Sequence, residues 1–187
     1  EGGMLDIKSC FMYNEIRMVE EKKRVSQQQF AELLYYWLSQ HASEEAVRRK
    51  AREFKFKIKD KADFNRIFKE LLIFNSWMII HACEEIFGDE GKRNECLDMF
   101  HRLLHEGKAK DIEGDFHKWM YSMSLSYIDY YKAMQTKHPQ GYLWALAKQF
   151  NENLFGKINK DLEVQMSIIF HAQSFLVATT TLLKKYK

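Results

Sequence analysis

Apolar positions in this chain recur every three or four residues, which is the spacing of one face of an α-helix rather than the alternation of a strand. Val47, Ala51, Phe54 and Ile58 form one such stripe, and Met12, Ile16 and Val19 suggest a helix within residues 5–22. Polar residues mark where helices begin. Ser26 with Gln29 three positions on makes a capping box. Ser43 is followed by Glu44 and Glu45, acids that suit the positive end of a helix dipole. Asp60 or Asp63 opens a long helix ending near Gly88, and Asp89 or Asn94 opens another ending at Gly107. A helix over 111–137 follows, then one with Pro139 in its first turn that stops at Gly156, and a last one capped by Asn159. The pattern predicts an all-α fold, a single multi-helix bundle of about eight helices with short connections.

Three stretches lack charge altogether: Leu71–Cys83, Trp119–Ile128 and Gln165–Leu183. They make the helices near 60–87, 111–137 and 159–185 the expected centre of the bundle, since a helix apolar all round must be buried. The last run is long enough to cross a membrane, and Lys184 and Lys185 follow it. Its glutamines, serines, threonines and histidine favour a buried helix instead, so no transmembrane segment is assigned. Ser167, Ser174 and Thr181 recur every seven residues, a row of small side chains that lets a neighbouring helix come close.

Composition supports this picture. Of 187 residues, 46% are hydrophobic and 29% charged, which suits a globular chain with a real core. One proline and eight glycines leave few helix breakers. Glu1-Gly2-Gly3 ahead of Met4 reads as a cloning remnant, so 4–187 is expected to form one all-helical domain. Three scattered cysteines without a CxxC pair suggest reduced thiols and a cytoplasmic protein.

The first candidate chemistry lies in HACEEIFGDEGKRNECLDMFHRLLH, residues 81–105. His81 and Glu85 share a helix face, as do His101 and His105. Imidazole and carboxylate ligands suit iron or zinc, and bundle cores hold such sites. This HxxxE and HxxxH pairing resembles the central helix hairpin of the hemerythrin family, whose oxygen carriers hold a di-iron centre. That family also has an HxxxxD pair in its last helix. Here His117 and His171 are followed five residues on by Ser122 and Leu176, so the pair is missing. Register also opposes it: four facing ligands need a turn centred on residue 93, and the breakers Gly88 and Gly91 lie earlier. His101 is expected at the edge of its helix's buried face and His105 on the polar face. His81 is expected in the core beside Glu70, Glu84 or Glu85. His171 is surrounded by apolar positions, and a shared pocket of His81, His117 and His171 would provide a metal or small-ligand site.

The second is VRRKAREFKFKIKDK, residues 47–61, with eight Lys and Arg against two acids. Read as one helix, it places Arg48, Arg52, Lys55 and Lys59 in a basic stripe beside the apolar one, with Arg49 adjacent. Phe56 lies off the apolar stripe, where it would stack on a base. Such a stripe would face nucleic acid, an acidic protein or a membrane surface; the plainer reading is a solvated face paired with acids such as Asp111, Glu113 and Asp115. A net charge of +3 does not itself argue for nucleic acid. Tyr35-Tyr36-Trp37 and Tyr130-Tyr131 point some aromatic rings away from one core, toward a second layer or a partner. The function expected is non-enzymatic binding or assembly, with a protein partner or a second copy. The alternatives are a His/Glu ligand site centred on His81, and nucleic-acid binding through 47–61.

Overall fold

The computed structural model describes residues 25–157 and 160–186. It is all-helical, with no strand among the described residues. Among the described residues seven α-helices run in the order α1 Gln27–His41, α2 Glu44–Glu53, α3 Lys61–Ile86, α4 Glu90–Leu104, α5 Phe116–Gln135, α6 Tyr142–Phe155 and α7 Leu162–Tyr186, with a π-helical turn at His105–Ala109. The helix suggested within 5–22 and the cap at Asn159 lie outside the described residues.

Local chemistry sets most of the starts. Ser26 and Gln29 make the reciprocal capping box. The side chains of Ser43, Asp60 and Asp89 each accept from a backbone N–H three residues on. Three boundaries differ from the sequence pattern. The helix expected from Asp111 begins at Phe116, because Asp115 is the residue whose carboxylate caps the Lys118 N–H, at 2.8 Å. Pro139 stands in a turn, closed by Gly141 N–H donating to the His138 carbonyl at 2.9 Å, and Gly141 has a φ of 91° that suits glycine.

The basic segment is not one helix. α2 ends at Glu53 in a Schellman turn: Lys55 N–H donates to the Arg52 carbonyl and Phe56 N–H to the Ala51 carbonyl. Lys55 takes the left-handed conformation, with φ 57°, and residues 56–59 leave without helical bonding. Phe56 is buried at 8% exposure, among Phe54, Phe150 and Phe155, so it cannot stack on a base.

α3 is the axis. Every residue from Glu70 to Ile80 is buried, and the helix touches all six other α-helices. Trp77, Phe74, Ile73 and Leu72 are fully enclosed, each contributing about 1.5–3 kcal/mol of burial. α5 and α7 differ from their expected central place. Each packs one face inward and leaves the other open, with Tyr121, Leu125 and Ile128 exposed on α5 and Phe170 and Val177 on α7. α4 packs chiefly along α1.

The join between α4 and α5 depends on one glycine. Instead of stopping at Gly107, the helix widens into the π-turn, and Gly107 lies under Tyr35 of α1. A Cβ there would meet the Tyr35 hydroxyl and stand 2.7 Å from its Cζ. Alanine normally stabilises a helical glycine position by about 1 kcal/mol; here the sign reverses. Gly107→Ala is expected to cost about 1–2 kcal/mol by denaturant unfolding, and to stabilise instead in a Tyr35→Ala background.

Candidate functional site

The site is built along α7. Its inner face carries Val164, Ile168, His171, Ala172, Phe175, Thr179 and Leu183, all buried, chiefly against α3 and α6. His171 is tied to the axis helix through Nε2, 2.8 Å from Asn75 Oδ1. Burial, then Lys50 and His41, press its pKa from 6.5 down to about 3, so it is neutral at pH 7.

Beside this face, α1, α2 and α7 leave an open cleft of about 600 Å³. Its aromatic wall is made by Trp37, His41 and Phe175. The His41 ring stands edge-on to Trp37 at 4.7 Å and to Phe175 at 5.0 Å. Trp37 is held in place by its indole N–H, which donates to Thr179 Oγ1 at 3.1 Å. Arg49 and Lys50 from α2 line the cleft, and Glu53 answers them at 3.9 and 2.6 Å. Burial lowers the His41 pKa, and Lys50 and Arg49 lower it further.

The outer face of α7 carries a different pattern. Ser167, Phe170, Ser174, Val177 and Thr181 follow 3-4-3-4 spacing, with Phe170 59% and Val177 62% exposed. This is the seam of a coiled coil, with small residues at one position and large ones at the other. Ser167 Oγ donates to the Glu163 carbonyl at 2.9 Å and Thr181 Oγ1 to the Val177 carbonyl at 2.8 Å. Those hydroxyls are therefore satisfied within their own helix and lose nothing when covered. Only 39% of the most apolar stretch of α7 is buried.

The histidines singled out by spacing lie apart. His81 is half-buried, stacked on Trp77 with ring centroids 5.5 Å apart, and flanked by Glu84 at 3.8 Å and Glu85 at 3.4 Å. His101 is buried with Nε2 3.4 Å from the Tyr127 hydroxyl, and burial lowers its pKa to about 4. His105 was expected on the polar face; the π-turn buries it, with Nε2 2.9 Å from the Glu113 carbonyl. His117 is exposed and shares a shallow groove with His105, Arg102, Glu106 and Phe116. His171 lines the cleft of α1, α2 and α7 and His117 the groove beside Phe116, and His81 lines neither. Among the described residues no three His, Cys, Asp or Glu side chains gather as a metal set. α4 turns away from α3 toward α1, so His101 and His105 do not face His81 and Glu85 across a hairpin.

The basic residues also divide. Arg48, Arg49 and Arg52 stay on α2, whereas Lys55 and Lys59 follow its end. Their acids are not those expected from the 111–115 stretch: Arg48 meets Glu44 at 2.8 Å, Arg49 meets Glu53, and Lys55 meets Glu163 of α7. Glu113 pairs instead with Lys69, at 2.7 Å.

Spacing also missed a buried polar cluster. Glu70 accepts from the Tyr130 hydroxyl and from Asn153 Nδ2. Burial raises its pKa from 4.5 to about 6, against the lowering effect of those bonds. It draws on α3, α5 and α6, so no local motif marks it. The same holds for the cleft that His41 and His171 both line. Comparison of the chain with protein families, curated proteins and solved structures finds no match.

His101 and His171 give a pH dependence. Their folded pKa values lie below the unfolded one, so unfolded chains bind more protons as pH falls from about 6.5 toward 4. Stability is lost in that window by at most about 1.4 kcal/mol per pH unit for each histidine. Glu70 acts oppositely, costing stability as pH rises from 4.5 to about 6. His171→Gln retains an N–H for Asn75. From pH 7 to 5, wild type is expected to lose about 1–2 kcal/mol more than this variant in urea unfolding.

Proposed function

We propose that the chain is a helical assembly protein in which two copies pair, antiparallel, through the outer face of α7. The observation that carries this reading is the uncovered heptad row Ser167, Phe170, Ser174, Val177 and Thr181 on a helix with no charge between Val164 and Leu183.

Charge and size both support an antiparallel second copy. Asp161, just before α7, and Glu163 in its first turn, the latter already paired with Lys55, stand at the end opposite Lys184 and Lys185. Antiparallel packing brings unlike ends together, whereas parallel packing sets acid on acid and base on base. It also sets Phe170 and Val177 of one copy against serines and threonines of the other, so large side chains fill the spaces over small ones. A parallel pair would set Phe170 on Phe170 and leave the serine layers hollow.

The pairing is weak by design of its size. Burying the exposed parts of Phe170 and Val177 on both copies supplies roughly 4–8 kcal/mol, before the cost of association. Less an association cost of at least about 4 kcal/mol, that leaves a dissociation constant of about a millimolar or weaker. A lipid surface fits less well, because Ser167, Gln173, Ser174 and Thr181 interrupt the apolar face.

Sedimentation across about 0.05–3 mM, a range that reaches past a millimolar dissociation constant, tests this reading. The mass of wild type is expected to climb from 22.4 kDa toward twice that value. Val177→Glu is expected to remain monomeric with its unfolding midpoint nearly unchanged, since Val177 is largely exposed. Wild type that stays monomeric throughout, or a variant that associates equally, would contradict the proposal. So would flotation of wild type with phosphatidylcholine vesicles that Val177→Glu abolishes, which would assign the face to lipid.

A further inference from the structure

We infer that the cleft between α1, α2 and α7 is a binding site for a small aromatic compound carrying one acidic group. This inference does not rest on the pairing of α7, although Ser167, Phe170 and Ser174 of that row also line the cleft's open side.

Size comes first. About 600 Å³ holds one ligand of ordinary organic size, and the wall against it is aromatic. Trp37, His41 and Phe175 already pack on one another, with Trp37 and Phe175 ring centroids 5.9 Å apart. Trp37 is also locked by Thr179. A flat ring entering the cleft therefore meets a fixed aromatic surface and orders little on arrival.

Charge selects the ligand's sign. Arg49 and Lys50 stand beside that surface with one carboxylate, Glu53, between them, which leaves one positive charge uncompensated. The Arg49 contact with Glu53 is long, at 3.9 Å, and exchanges readily for a charge-assisted bond to a ligand anion. His41 and His171 add no acid, and both face a cationic environment that disfavours their own protonation. An anion is the charge this cleft lacks. A cationic ligand would meet Arg49 and Lys50, and a neutral one would leave them unanswered.

Titration calorimetry with naphthalene-2-sulfonate and its neutral analogue naphthalene-2-methanol tests the inference. One sulfonate per chain is expected to bind, about tenfold more tightly than the alcohol, the difference being one charge-assisted contact. Arg49→Gln with Lys50→Gln is expected to remove that advantage and leave alcohol binding as it was; both side chains reach solvent, and circular dichroism melting checks that the fold is retained. Trp37→Leu is expected to weaken both ligands. No heat from the sulfonate up to millimolar concentration, equal affinity for the alcohol, or a double variant that binds sulfonate as wild type does would overturn it.

Discussion

Enclosure of α3 is the constraint from which the rest of the structure follows. From Glu70 to Ile80 this helix offers no polar face, so it must be surrounded on every side. Six other helices do so, and each needs only one apolar face for the task. Chain length between caps then determines which helix goes where. Two of the polar side chains that α3 carries inward are met by partners from the sheath: Asn75 by His171, and Glu70 by Tyr130 and Asn153. Those bonds fix the rotation of α5, α6 and α7 about the axis, since an unmet buried polar group costs about 1–3 kcal/mol.

α7 is the helix for which that arrangement leaves a remainder. It is nearly as apolar as the axis, yet it sits in the sheath and buries one side. Its outer row of alternating small and large residues, with the Ser167 and Thr181 hydroxyls already satisfied, is the surface of a helix suited to another helix. The cleft lies along the same helix, where Ser167, Phe170 and Ser174 line its open side. The two features are neighbours but use different chemistry: shape and apolar area for the seam, aromatic stacking and positive charge for the cleft.

Much of the fold was legible in the sequence because it is set locally. The capping box at Ser26 and the Asp60 and Asp89 caps depend on residues three apart, and the Gly156 stop depends on a single left-handed residue. The site was less legible for the same reason. Trp37, His41 and His171 meet only because α1 and α7 pack across the bundle, and no spacing along the chain encodes that. The histidine pairs show the converse limit: spacing places each pair on one face, but where the two faces lie depends on α4 packing along α1 rather than α3. The basic stripe failed at Lys55, where a non-glycine residue takes the left-handed position and ends the helix. The seven-residue row of Ser167, Ser174 and Thr181 was visible, and its meaning shifted. It was expected to receive a neighbour inside the bundle, and among the described residues it faces outward.

The pairing of α7 is tested most directly by intermolecular distances between nitroxide labels placed singly at Ser174 and Lys184, in a background without native cysteines. Residue 174 lies at the middle of the seam and residue 184 ten positions along it. Antiparallel pairing with large side chains over small ones centres the two copies between residues 170 and 174 or between 174 and 177, which gives a short separation at 174 and one of about 25–36 Å at 184. Short separations at both positions, or no intermolecular distance at either, would contradict the account.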